Sequence, residues 1–394
     1  MGTTRMRRVV RQVAVAALAT TLLTGVAESH ADAGPDRADL RKALQETIDS
    51  GFTGIQMRVR DQQGEWVGAA GARELGKAEQ PPKDGKFRAG SATKAFVAVM
   101  VLRLVAEGKV GLDAAAADYL PDLGMDRRIT VRMLLQHTSG IFNTTGEYFP
   151  GGRYEPGIPW EGKAWVDNRF HTYAPEELAR MALSKPPRFA PGTDWNYSNT
   201  NYVLARLLIE KVTGSSYVDE LQRRILGPLG LRDTVAPEAS PEIAEPHAHA
   251  YYKYEDAGQW QTIDVSRQNP SWVSQGGDMI STTEDLSNFF AALLGGKLLP
   301  APLLAEMIKP HSTPDPAMGY GLGLEVRDSG CVGTVVAADG GVQGYGTLLR
   351  GTLDGGKIMA ASLTFVDADV AHAPVQAEQQ AWQRLPREAF CGGQ

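Results

Sequence analysis

Ser91 and Lys94 stand three residues apart at the head of a long apolar run, in the stretch Phe87-Arg-Ala-Gly-Ser-Ala-Thr-Lys-Ala-Phe96. In a helix that spacing stacks both side chains on one face, one turn apart. A serine hydroxyl is a weak nucleophile until a base takes its proton. A lysine can be that base if burial lowers its pKa, and a helix N-terminus favours the negative charge that would follow. The plainer alternative, an N-cap serine beside a surface lysine, fits the same four residues. A chain of this length holds about one Ser-x-x-Lys by accident, so the pair alone decides nothing.

A second stretch, Tyr197-Ser-Asn199 in "DWNYSNTNY", supplies what a serine–lysine pair lacks. A tyrosine hydroxyl beside a lysine of lowered pKa can carry the serine proton on to a leaving group. An asparagine two residues further along an extended segment can hold both the lysine and a substrate amide. The alternative is a turn with a tyrosine packed on it.

The elements around these residues follow from periodicity. Ala92–Glu107 is apolar nearly all round and stops at Gly108, which predicts a buried helix carrying Ser91 at its mouth. Asn201–Val212, ending at Gly214, predicts a helix directly after Asn199; Arg37–Ile48, Thr130–His137, Pro175–Leu183, Thr283–Leu294 with a Thr cap, and Val375–Arg384 are further helices. Period two marks strands at Gly54–Arg60, Glu65–Ala70, Tyr345–Leu353 and Lys357–Phe365, the last two joined by the turn Asp354-Gly-Gly356. Strands at both ends with helices between predict an α/β fold. An antiparallel sheet built from N- and C-terminal strands is flanked by helices, and a mostly helical subdomain is inserted. Residues 34–90 and about 300–394 form the α/β part and about 91–299 the helical part. Two Gly-, Pro- and aromatic-rich segments, Thr144–Asp167 and Ser240–Asn269, read as long loops.

Composition narrows the function. The 394 residues are 43% hydrophobic and 22% charged, with a formal charge of −6, so nucleic acid has no basic footprint to bind. Residues 1–33 read as a signal peptide. Arg5, Arg7, Arg8 and Arg11 precede the apolar run Val13 to Ala27, and small residues follow at Ala31-Asp-Ala33. Arg7-Arg8 leaves the twin-arginine route open beside the general one. No second run approaches the ~18 apolar residues of a span, so a secreted, unanchored chain is expected, by default a monomer. In such a chain Cys331 and Cys391 are expected to form a disulfide of structural role.

Taken together, Ser91-Ala-Thr-Lys94 and Tyr197-Ser-Asn199 resemble the serine beta-lactamase and penicillin-binding-protein superfamily, most of all its secreted DD-carboxypeptidases and class C-like hydrolases. "ITVRMLLQHTSGI", "PGTDWNYSNTNYVLARLLIEKVTG", "GYGLGL" and the terminal cysteine pair carry the similarity from about Leu40 to Cys391. The resemblance implies an acyl-enzyme on Ser91, with Lys94 and Tyr197 as the proton-transfer pair and Asn199 binding the substrate amide. It implies Trp272 as an aromatic wall, an oxyanion hole from the N–H groups of Ser91 and Gly341, and neither cofactor nor metal.

The third motif of that superfamily departs from its pattern. A lysine or histidine is usual where Ala338-Asp339-Gly340 stands, and neither residue occurs from Asp328 to Leu349. The places from which such carboxypeptidases read a substrate carboxylate hold Asp339, Gly341 and Glu325. Two acids there should repel a carboxylate and favour an amine or a neutral group. The missing cation also withdraws one influence that would keep Lys94 and Tyr197 at low pKa. The expectation is therefore a serine hydrolase or acyltransferase acting on small molecules or peptides: D-amino-acid peptides, amides or esters. The alternatives are a penicillin-binding-like protein without turnover, or an esterase or transacylase of the class C-like group.

Other chemistries find less support. No Gly-x-Ser-x-Gly elbow exists for a Ser-His-Asp triad, and His137 reads as a helix-end residue. His247 and His249 are a possible metal pair, but no third ligand follows at a familiar spacing.

Overall fold

The computed structural model describes residues 37–368 and 375–392. The expected signal peptide lies outside the described residues. Helix α1 (Ala38–Asp49) buries Leu40, Ala43, Leu44 and Thr47, a helical stripe read directly from the sequence. Strands β1 (Gly54–Asp61) and β2 (Gly64–Gly71) form a hairpin, with Asp61 opposite Gly64. Helix α2 (Thr93–Ala106) follows a short 3-10 turn, Gly90–Ala92, that holds Ser91. Eleven of its residues are buried, as a helix apolar on every side must be. Helices α3 (Val131–Gln136), α4 (Thr200–Thr213) and α5 (Thr283–Leu294) pack around it. The Phe96 and Phe289 rings stack 3.6 Å apart between α2 and α5.

Seven more strands complete the main sheet. They are β3 (His311–Ser312), β4 (Met318–Tyr320), β5 (Glu325–Asp328), β6 (Thr334–Ala337), β7 (Gly340–Val342), β8 (Tyr345–Thr352) and β9 (Ile358–Thr364). The order is β2-β1-β9-β8-β6-β5-β4-β3, with β7 also on β8, and every pairing is antiparallel. The N-terminal hairpin thus meets the C-terminal one where Gly54 faces Thr364. The pleat then sorts neighbours to opposite faces. Leu348, Met359 and Ala361 join one core with α1 and the last helix, α6 (Val375–Cys391). Leu349, Ile358 and Ala360 join the other, with α2 and α5.

Some expectations are corrected. Helix α6 does not stop near Arg384 but runs through Pro386 to Cys391. Leu385, Ala389 and Phe390 are buried with α1 residues in one core, which outweighs the one backbone bond a proline omits. The Thr cap of α5 is Thr282, whose Oγ1 accepts from the Asp285 N–H at 3.1 Å. The two long loops are partly ordered. One contains a Gly146–Tyr148/Tyr154–Pro156 hairpin and a helix at Gly162–Asn168. The other contains a Tyr251–Asp256/Gln259–Asp264 hairpin, turned by Ala257 and Gly258, both at positive φ. These strands are short and polar, so alternation is too faint to mark them.

Cys331 and Cys391 form the expected disulfide and fasten the end of α6 to the β5–β6 connection. It closes a loop with a sequence separation of 60, for which chain entropy gives about 4 kcal/mol. Reduction should therefore lower the urea midpoint clearly and steepen the slope, because the freed unfolded chain exposes more surface; an unmoved midpoint would refute this role. Among the described residues, no helix is long and apolar enough to cross a membrane.

Candidate active site

Ser91, Lys94, Tyr197 and Asn199 converge although about a hundred residues separate the two pairs. The Ser91 Oγ lies 2.7 Å from the Tyr197 hydroxyl and 3.2 Å from Lys94 Nζ. Lys94 is 1% exposed, and burial holds its pKa well below the ordinary lysine range. Its nitrogen also lies 2.8 Å from Asn199 Oδ1 and 2.5 Å from the Gly276 carbonyl. A neutral amine has two N–H donors and one lone pair. In that form the two carbonyl oxygens would take the donors and leave the lone pair for the serine proton. This geometry would let a neutral Lys94 act as a base.

Tyr197 plays the complementary part. Burial pushes its pKa up, the hydrogen bond to Ser91 pulls it down less, and the Glu325 charge adds to the rise. A tyrosine in that state stays a phenol near neutral pH, able to accept one proton while passing on another. Its ring is fixed by His137, 4.4 Å away between centroids. His137 ends α3 in a left-handed conformation at φ 62°, fully buried. Its Nδ1 accepts from Asn201 Nδ2 at 3.1 Å and from the Ser198 N–H at 3.3 Å. Burial first, then Lys94, push its pKa down, so it is a neutral helix-end residue that positions the motif.

Strand β7 crosses the serine turn at backbone contact. A Cβ on Gly340 would lie 2.3 Å from the Ala89 carbonyl oxygen and 2.6 Å from the Ser91 nitrogen. A Cβ on Gly90, whose φ is +54°, would lie 2.6 Å from the Gly341 nitrogen. Only glycine fits at either place, and the contact brings the Gly341 amide beside the turn that carries the Ser91 amide. Fixed backbone donors of this kind suit a developing oxyanion.

From Ser91 a cavity of about 1070 Å³ opens past Tyr197, Tyr320, Glu325 and Asp339 toward Arg327 and the disulfide. Asp339 is not the bare acid the sequence suggested. Arg350 Nη2 and Nε donate to its Oδ2 at 2.7 and 3.1 Å, and the Leu349 N–H donates to Oδ1 at 3.2 Å. Glu325 also has a partner, accepting from Arg327 Nε at 2.8 Å. Ala338 leaves the cation's usual place apolar and buried. A cation does reach the strand, but as Arg350 across the hairpin, spent on Asp339 rather than on the Lys94–Tyr197 pair.

Trp272, expected as a wall of the cleft, is buried in the Pro270–Trp272 turn and is not among the residues lining this cavity. The Gly276 carbonyl and Arg350 had escaped notice. A backbone oxygen leaves no signal in sequence, whereas counting back from the turn after Val342 puts residue 350 diagonal to 339. His247 and His249 lie with ring centroids 5.1 Å apart, and His249 Nδ1 is 2.6 Å from Asp264 Oδ2. Among the described residues no group of three or more His, Cys, Asp or Glu is assembled to hold a metal.

Known proteins resemble this chain in sequence and fold. A family profile described as Beta-lactamase matches residues 37–380. Penicillin-binding protein 4* of Bacillus subtilis (strain 168) is 26% identical over 279 residues, 68% of this chain and 58% of its own. Esterase EstB of Burkholderia gladioli is 32% identical over 180 residues, 43% of each chain. The match thus spans about half the length of these two curated relatives. The crystal structure of a D-stereospecific amidohydrolase from Streptomyces sp. superposes with a TM-score of 0.76 at 36% identity, covering 91% of this chain and 100% of that one. The D-amino acid amidase of Ochrobactrum anthropi SV3, at 23% identity, shares the fold with a TM-score of 0.77, over 90% and 99% of the two chains. With the profile running across most of its length and a solved relative covered end to end at this identity, the chain belongs to the Beta-lactamase family.

Proposed function

We propose that this protein is an exported serine hydrolase that forms an acyl-enzyme on Ser91 and acts on D-amino-acid amides, peptides or esters. One observation carries the reading: a single hydroxyl is shared by a buried lysine, whose pKa burial lowers, and a buried tyrosine, whose pKa burial raises, at 3.2 and 2.7 Å. In the first step the Ser91 oxygen attacks the substrate carbonyl while its proton moves to Lys94. The tetrahedral oxyanion faces the N–H groups of Ser91 and Gly341. Tyr197 hands a proton to the departing amine or alcohol and is resupplied from Lys94. Water, or an acceptor amine, then takes the acyl group by the reverse path.

Turnover is favoured over a purely binding role because burial lowers the Lys94 pKa without a third-motif cation. The D-amino-acid substrate class is supported by the amidohydrolase of Streptomyces sp., which by its name is D-stereospecific. Export is supported by the leader-like first 33 residues and by the Cys331–Cys391 bond.

Intact-mass spectrometry after exposure to a fluorophosphonate, a fluorescent penicillin and D-phenylalanine amides or esters tests the proposal. Wild type should gain one adduct, and Ser91→Ala none while keeping its circular dichroism. L-phenylalanine amide should be the poorer donor. Absence of any adduct on wild-type protein would defeat the reading.

A further inference from the structure

Resting on that reading, we infer that Glu325 alone is the receptor for a positively charged amine on the substrate, and that Asp339 is a fixed part of the wall. Asp339 has nothing left to offer. Both its oxygens are taken by Arg350 and by the Leu349 amide, and its side chain is only 16% exposed. The pair staples residues that lie diagonally across the β6/β7–β8 ladder.

Glu325, with its side chain 23% exposed, differs in its hydrogen bonding. Among the described residues its carboxylate is hydrogen-bonded only through Oε2, to Arg327. It lines the same cavity as Ser91 and Tyr197, and its charge is felt by the Tyr197 hydroxyl. Arg327 is itself divided, lying 3.7 Å from Asp315. Arg350 is therefore held by Asp339, while Arg327 is shared between Glu325 and Asp315. Glu325 is thus left with a shared arginine and, among the described residues, one oxygen that takes no hydrogen bond, facing the cavity of the nucleophile. Burial first and Asp339 second push the Glu325 pKa up, against the lowering influence of Arg327 and Arg350. An ammonium group entering the cavity could donate to the open oxygen of Glu325, which a carboxylate could not do.

The amine can belong to the acyl donor, as the α-amino group of a D-amino acid, or to the leaving group or acceptor. Two matched pairs of donors separate these sources. D-phenylalanine amide is set against its N-acetyl form, and the N-acetyl-D-phenylalanyl amide of 1,4-diaminobutane against that of butylamine. In one pair wild type should favour the ammonium-bearing member by about tenfold or more in kcat/KM, and Glu325→Gln should bring that ratio down to about 1. The responding pair identifies the source. No preference in either pair, or a preference that Glu325→Gln leaves intact, overturns the inference. If no donor acylates Ser91 at all, the hydrolase reading fails by itself. Calorimetric binding of D-phenylalanine amide and of 1,4-diaminobutane then decides the receptor: loss of either in Glu325→Gln sustains it, and binding unchanged in the variant, or absent from wild type, overturns it.

Discussion

Lys94→Met is expected to lower kcat/KM by about 10²–10⁴-fold, the span of one positioned acid–base group, while the protein becomes more stable. Methionine fills the same buried channel without an amine to desolvate, so the packing of α2 survives. The stability gain has a sign that can be checked. The folded lysine has a pKa well below the ordinary value of 10.5, so between those two values the unfolded chain binds a proton that the folded one does not. Wild-type stability therefore rises with pH across that window, and burial of the amine costs most below it. Methionine has no such term. Urea unfolding should show the variant's advantage large at pH 7 and shrinking toward pH 10.5. An advantage independent of pH would mean that Lys94 is charged in the folded protein and cannot be the base.

Gly340→Ala is the second large effect. A methyl group there would lie inside the backbone of Ala89, Ser91 and Ala92, with approaches of 2.3–2.9 Å to atoms that cannot swing aside. Strand β7 must back away, and the Gly341 amide moves with it. Loss of one oxyanion donor corresponds to about 10²–10³-fold in kcat. Because the donor acts on charge that exists only in the transition state, kcat should fall much more than KM rises. Gly341→Ala is the contrast: its Cβ would have its nearest neighbour 3.7 Å away, so its effect should be far smaller. Equal losses in the two variants would show that the close approach of β7 to the serine turn has no role in the reaction.

The legible parts of this protein are those that local geometry dictates. A helix forces residues three apart onto one face, so Ser91 and Lys94 had to be neighbours once Ala92–Glu107 read as a helix. The two-residue step from Tyr197 to Asn199, just ahead of α4, announced the second half of the site in the same way. Period-two strands at both ends predicted that the N- and C-terminal hairpins share a sheet, as β1 and β9 do. The end of α6 was misjudged because Pro386 is a poor helix residue locally, and only burial of Leu385, Ala389 and Phe390 overrides that preference.

By itself, then, the sequence determined which side chains could form a nucleophile and its proton relay, and which architecture would carry them. Tertiary structure decided their chemical state. Packing removes Lys94 from water, which lowers its pKa, and brings the Gly276 carbonyl, 182 residues away, to one of its hydrogens. Asp339 and Glu325 look alike in a sequence, yet strand register hands one of them Arg350 and leaves the other an arginine shared with Asp315. Protonation and charge balance depend on everything within a few ångströms, and those neighbours come from distant parts of the chain.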